Sequence, residues 1–283
     1  MDCSTQSRTK ATVLLTLFAT IALGLMWQTA ATAQQPAKSV VKPPSTASTK
    51  PIKANTGAAN NDVNKLLADG QVAFDAGRYD DAIAKYNRVI ALSAAQPRTA
   101  AVGNLLIGNV NMAQRKFGNA EVAFQKAIVL SPNFAEAYNG LGEALGELKQ
   151  FSRAIEAFTK AIALDPKLLK AKYNQAVTYD RMKNLRYSEF VFRNLIKSNP
   201  DYALAYDGLA VTLSKAGRGR EAMPLHEKAI SLSPGDPSYY FNYAISNLMM
   251  GNTTKATEIQ QRLKMIDPLV ADRLASVIIK RQM

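Results

Sequence analysis

The chain is poor in the residues that build metal and nucleophile sites. Its 283 residues include one cysteine (Cys3), one histidine (His226) and one tryptophan (Trp27). A single cysteine excludes an internal disulfide, so stability has to come from an apolar core. A single histidine with a single cysteine excludes Cys/His zinc sites and Cys–His nucleophile pairs within the chain. Acidic residues are in deficit, 22 against 35 Lys and Arg, which leaves a net charge of +13. Long apolar runs are absent apart from one near the start. A hydrophobic content of 47% is nevertheless ordinary for a folded protein and excludes wholesale disorder.

The exceptional run is Ala11 to Trp27, preceded by Arg8 and Lys10 and followed by Ala31-Thr32-Ala33. A basic start, an apolar stretch and a small-x-small site read as a secretory signal over residues 1–33, with Gln34 as the expected mature start. The expected location is therefore exported, periplasmic or secreted in a bacterium. The alternative is an inner-membrane anchor through residues 11–27 that faces the periplasm. From 34 to 62 the chain is rich in Pro, Ser, Thr, Ala, Lys and Asn, with Lys38, Lys42, Lys50 and Lys53 against Asp62. So little apolar surface cannot repay ordering, and the segment is expected to be a disordered cationic linker.

Beyond the linker one period governs the sequence. Pro132, Pro166, Pro200, Pro234 and Pro268 stand 34 residues apart, as do the small residues Ala120, Ala154, Ser188, Ala222 and Ala256 and the bulky Phe124, Phe158, Phe192 and His226. An earlier copy holds Gly70, Gly77, Tyr79, Ala82 and Tyr86, separated from the second by four extra residues around Pro97, expected to lengthen a loop. With Tyr138, Leu141, Gly142, Ala154, Phe158, Ala161 and Pro166 in place, the third copy resembles the tetratricopeptide repeat family. The resemblance covers 63–270 as six repeats: 63–96, 101–134, 135–168, 169–202, 203–236 and 237–270. It implies an all-α fold, a superhelical solenoid of helix-turn-helix repeats. Departures are local: repeat four has Ala176 and Ser188 at its small positions, repeat five carries Pro224 inside its second helix and His226 for the aromatic, and repeat six has Gln260 there.

The pattern has its own physical reading. Ala154, Ile155, Phe158, Ala161 and Ile162 recur three and four apart and make one apolar helix face. Gly77, Gly217 and Gly251 mark turns between paired helices, and each terminal Pro disfavours continuation of the second helix. One hairpin cannot bury its face, whereas stacked copies make a continuous core. Residues 271–283 read as a capping helix, with Leu274, Val277 and Ile278 in the register of Tyr240, Tyr243 and Ala244.

Catalytic chemistry is not expected. His226 occupies a packing position, and Gly217-Arg218-Gly219-Arg220 lacks the spacing of a phosphate loop. No cofactor and no metal is expected. The resemblance implies a concave groove lined by first helices that holds a peptide or protein segment. Its positions fall on Asn109, Glu136, Asn139, Glu143, Lys170, Tyr173, Asn174, Asp180, Asp207, Phe241 and Asn242. Asn side chains can bond the donors and acceptors of an extended backbone, and Tyr173 and Phe241 offer apolar anchors. Leu67 and Gln71 replace the Lys and Asn of the carboxylate-clasping members, so a clamp for C-terminal carboxylates is not expected. Phe241, Ile245, Leu248 and Met249 are either covered by the terminal helix or form an apolar site. The expected function is a non-enzymatic interaction scaffold of the cell envelope with protein or peptide partners. An alternative is a cationic protein bound to an anionic membrane or cell-wall surface, since residues 63–283 still carry +9. Nucleic acid is not an expected partner.

Overall fold

The computed structural model describes residues 57–282. The export and anchor readings and most of the linker lie outside the described residues. Among the described residues there are thirteen helices and no strand. Six antiparallel pairs follow one another: α1 (Gly57–Asp75) and α2 (Tyr79–Leu92); α3 (Pro97–Ala113) and α4 (Phe117–Leu130); α5 (Ala135–Glu147) and α6 (Phe151–Leu164). They continue with α7 (Leu169–Arg181) and α8 (Leu185–Ser198); α9 (Ala203–Lys215) and α10 (Gly219–Leu232); α11 (Pro237–Met249) and α12 (Thr253–Lys264). A last helix, α13 (Pro268–Gln282), closes the series.

Each helix packs on the next, and from α3 onward each first helix also touches the first helix of the following repeat. First helices therefore line up side by side on the inner face, while second helices lie outside. Every turn from first to second helix falls on one edge of the solenoid, and every turn between repeats falls on the other.

The aromatic of each second helix sets the packing. Phe158 is 1% exposed and lies against Gly142, where an added Cβ would meet the ring at 2.5 Å. Phe124 and Phe192 sit equally deep. The turns within repeats share one geometry, a left-handed residue followed by an N–H that reaches back five residues, as from Gln150 to the Leu145 carbonyl at 2.9 Å. Gly77, Gly217 and Gly251 fill the left-handed place in three repeats, but Arg115, Lys149 and Lys183 fill it in the others, with φ of 59°, 61° and 60°.

Three boundaries differ from the sequence reading. Residues 57–62, assigned to the linker, are helical and belong to α1. The extra residues around Pro97 form no loop: Pro97 is the first residue of α3, which has 17 residues where α5 has 13. Four residues make about one turn, so the insertion lengthens α3 without rotating its apolar face, and proline at the first helical position loses no hydrogen bond. Similarly, Pro268 opens α13, three residues before the expected start, while the Asp267 carboxylate caps its first turn by accepting from the Val270 N–H at 3.0 Å. The α13 residues Ala271, Leu274 and Ile278 are buried, as are Phe241, Ile245 and Leu248 of α11. The apolar places of repeat six are thus covered, with the Arg273 guanidinium 6.0 Å above the Phe241 ring centroid.

Candidate functional site: the inner face of the first helices

On the inner face, polar side chains of successive repeats bond one another at a spacing of one period. The Asn174 side-chain N–H groups donate to Asn139 Oδ1 at 3.1 Å and to Glu143 Oε1 at 3.0 Å. Asn139 itself donates to Glu143 at 2.5 Å, and Lys170 pairs with the same carboxylate at 2.8 Å. The Glu143 charge holds the Lys170 amine above its ordinary range, against the opposite pull of desolvation. Four of the expected groove residues from α5 and α7 therefore form one connected cluster.

A second cluster spans α9, α10 and α11. Asp207, 4% exposed, accepts from Asn242 at 2.7 Å through one oxygen and lies 3.0 Å from His226 Nδ1 through the other. His226 Nε2 lies 2.8 Å from Ser246 Oγ, which in turn accepts from Ser214 at 2.9 Å. Carboxylate, imidazole and hydroxyl thus stand in the order used by hydrolytic triads. His226 is fully buried and Ser246 is 2% exposed, so the relay ties repeats five and six together without presenting its hydroxyl to a substrate.

Tyr173 lies between the two clusters, its ring tilted against Phe192 at 5.7 Å. Burial, reinforced by the Asp207 charge, pushes its phenol above the ordinary range. Tyr202 is raised to about 12 by burial alone. Asp180 is buried and paired with Lys215 across the boundary of repeats four and five. Glu147 and Arg181 pair at 2.9 Å one boundary earlier.

The structure thus brings together Asn139, Glu143, Lys170 and Asn174 in one cluster and Asp207 and Asn242 in another. Asn109 and Glu136 stand exposed, and neither makes a side-chain hydrogen bond among the described residues. Phe241 is buried under α13 and offers no open apolar anchor. Among the asparagines, Asn174 differs from the expected two-way donor and acceptor. Both N–H groups of Asn174 are spent between repeats, which leaves its carbonyl oxygen as an acceptor, while Asn242 spends one N–H and keeps both a donor and an acceptor. His226, Ser214, Ser246 and Lys215 complete these networks and were not among the expected groove residues. One signal for such pairs was present: Asn139/Asn174, Asp180/Lys215 and Asp207/Asn242 are each 35 residues apart.

Among the described residues no group of His, Cys, Asp and Glu is arranged to hold a metal ion, and no helix is long and apolar enough to cross a membrane.

Models of the tetratricopeptide repeat family match residues 135–168 and 203–233. No curated protein sequence matches the chain. Among solved structures, the chain is similar to a tetratricopeptide repeat protein from Parabacteroides merdae, with TM-score 0.63 and 18% identity over 78% of this chain and 87% of that one. It is also similar to PilW, a widely conserved type IV pilus biogenesis factor, with TM-score 0.60 and 20% identity over 75% of this chain and 94% of that one. A thermophilic tetratricopeptide repeat protein of Thermus thermophilus gives TM-score 0.57 and 21% identity over 64% of this chain and all of that one. These likenesses are of fold. Joined to the two matched repeats and the consecutive helix pairs, they show that the chain has the fold of a tetratricopeptide repeat solenoid.

Proposed function

We propose that this chain is a non-enzymatic scaffold of the cell envelope that holds an extended segment of another protein along the inner face of repeats three to six. The repeat fold in general serves protein–protein interaction; the envelope location and the groove are our reading. The observation that carries it is the fixed orientation of Asn174 and Asn242. Both N–H groups of Asn174 and one of Asn242 are tied to the preceding repeat, so the two side chains offer carbonyl acceptors to the N–H groups of an extended backbone. Tyr173, next to Asn174 on the same helix, is half-buried. The export signal read in residues 1–33 supports the envelope location.

The test is proximity crosslinking of the full chain in its native cells, followed by mass spectrometry. It is compared with a variant carrying Tyr173→Ala, Asn174→Ala and Asn242→Ala whose helicity is checked by circular dichroism. Protein partners that disappear with the folded variant are the expected result. Identical partners in both, or none above background, reject the groove. Amino-terminal sequencing of the protein from the same cells checks export, with Gln34 expected first. A second reading is carried by charge: the excess of +9 over residues 63–283 suits association with anionic lipid or wall polymer, with nucleic acid kept apart by export.

A further inference from the structure

The positive charge of the repeats is concentrated on one edge. The four seven-residue segments around the turns within repeats two to five, 113–119, 147–153, 181–187 and 215–221, hold ten Lys and Arg against two acidic residues. The four equivalent segments on the opposite edge, 130–136, 164–170, 198–204 and 232–238, hold two against four. Helices alternate in direction, so all the first set face one way. Lys116, Lys149, Lys183, Arg186 and Arg220 are exposed there and make no ion pair among the described residues. Three basic residues, Arg115, Lys149 and Lys183, occupy the left-handed position that glycine fills without strain in the other turns.

Aromatic groups join the charge at repeat four. Tyr187 (55%) and Phe190 (62%) are the exposed large aromatic side chains among the described residues, and both lie in the first turns of α8 beside Lys183 and Arg186. Met182, in the same turn, is 42% exposed. Tyr187 stacks on Tyr179 with ring centroids 5.4 Å apart, which holds its ring at the edge and occupies one of its faces.

We propose that this edge docks the solenoid on an anionic lipid bilayer, with the turns of repeats two to five against the headgroups and Phe190 and Tyr187 at headgroup depth. The turns follow one another along the same edge of successive repeats and present their basic side chains outward. A single-stranded nucleic acid is held in a positively charged groove that tracks its backbone, and this basic surface is an edge. Lys and Arg at a membrane surface act additively, and aromatic rings settle at the interface. The proposal narrows the charge-based reading above to one edge and one kind of surface, and it makes no use of the groove.

Lysine acylation footprinting tests it on the full chain, using vesicles of phosphatidylglycerol and phosphatidylcholine, vesicles of phosphatidylcholine alone, a single-stranded oligonucleotide and polyglutamate. With anionic vesicles, Lys116, Lys149 and Lys183 should lose reactivity several-fold while the exposed Lys167 of the other edge and Lys197, in the last turn of α8 beside it, do not. Lys183→Glu with Arg186→Glu should weaken sedimentation with those vesicles about tenfold, where Lys167→Glu with Lys197→Glu, the same change in net charge, leaves it within about twofold. Protection confined to Lys38, Lys42, Lys50 and Lys53 would keep the charge-based reading and overturn this one. Equal protection of both edges, or protection by oligonucleotide or polyglutamate without vesicles, would overturn it too.

Discussion

At His226 two demands meet, one for a bulky side chain and one for polar partners. The place is filled by Phe124, Phe158 and Phe192 in three preceding repeats, and burial of the imidazole is complete. Yet its nitrogens face Asp207 and Ser246. His226→Phe would restore the repeat pattern and its apolar packing while depriving a buried carboxylate oxygen and a buried hydroxyl of a partner. Unmade hydrogen bonds at buried groups cost about 1–3 kcal/mol, more than a ring of similar size returns, so the variant should be less stable by about that amount. A midpoint of urea unfolding equal to or above that of the parent would show that packing rules the position. The same residue marks the limit of the sequence reading. Its place in the period foretold a buried, bulky side chain, but Asp207 stands 19 residues before it and Ser246 20 after, separations that no 34-residue register brings together. Phe241 holds a groove position by register, yet α13 lies against α11 and covers it, which is one of the two outcomes the sequence leaves open for it.

Helices α3 and α10 show how proline changes meaning with position. Pro97 and Pro268 open helices, where a missing N–H removes nothing, whereas Pro224 is the sixth residue of α10. There it forfeits the bond that an N–H would make to the Arg220 carbonyl, and its ring crowds that carbonyl. The helix nevertheless runs unbroken to Leu232, with Ala222, His226 and Ala229 all buried, so contacts with α9 and α11 hold a helix that its own backbone disfavours. Pro224→Ala should therefore raise stability by up to about 3 kcal/mol, read as a shift of the thermal midpoint. No change would mean that the neighbours have already bent α10 to suit the ring. Element number and order were legible because a packed face at spacing three and four, repeated every 34 residues, leaves one solution for stacked hairpins. Boundaries were less so: the same residue type stops a helix two residues past its end, as Pro166 does after α6, and starts one, as Pro97 does.

Over the whole series of repeats, stability is the sum of each hairpin and its contacts with the next, so a stress confined to one end should be felt there first. Alkali supplies such a stress. Burial raises the phenols of Tyr86, Tyr202 and Tyr243 to about 12, and those of Tyr173 and Tyr239 higher still, with nearby carboxylates adding to all but Tyr202. Above pH 10 an unfolded chain gives up these protons while the folded chain keeps them. The unfolded state then binds fewer protons, and stability present below pH 10 falls as the pH climbs toward 12. Four of these five tyrosines belong to repeats four to six, so those repeats carry most of the loss. Titration followed at once by tyrosinate absorbance and by helical circular dichroism should show a late group of tyrosines ionising together with a partial loss of helix. Tyr239→Phe, which removes one buried phenol and keeps its ring, should move that step to higher pH. Smooth ionisation of every tyrosine near pH 10 with the helices intact would mean that alkali reaches these phenols in the folded chain, and that their burial places no such load on the carboxyl-terminal repeats.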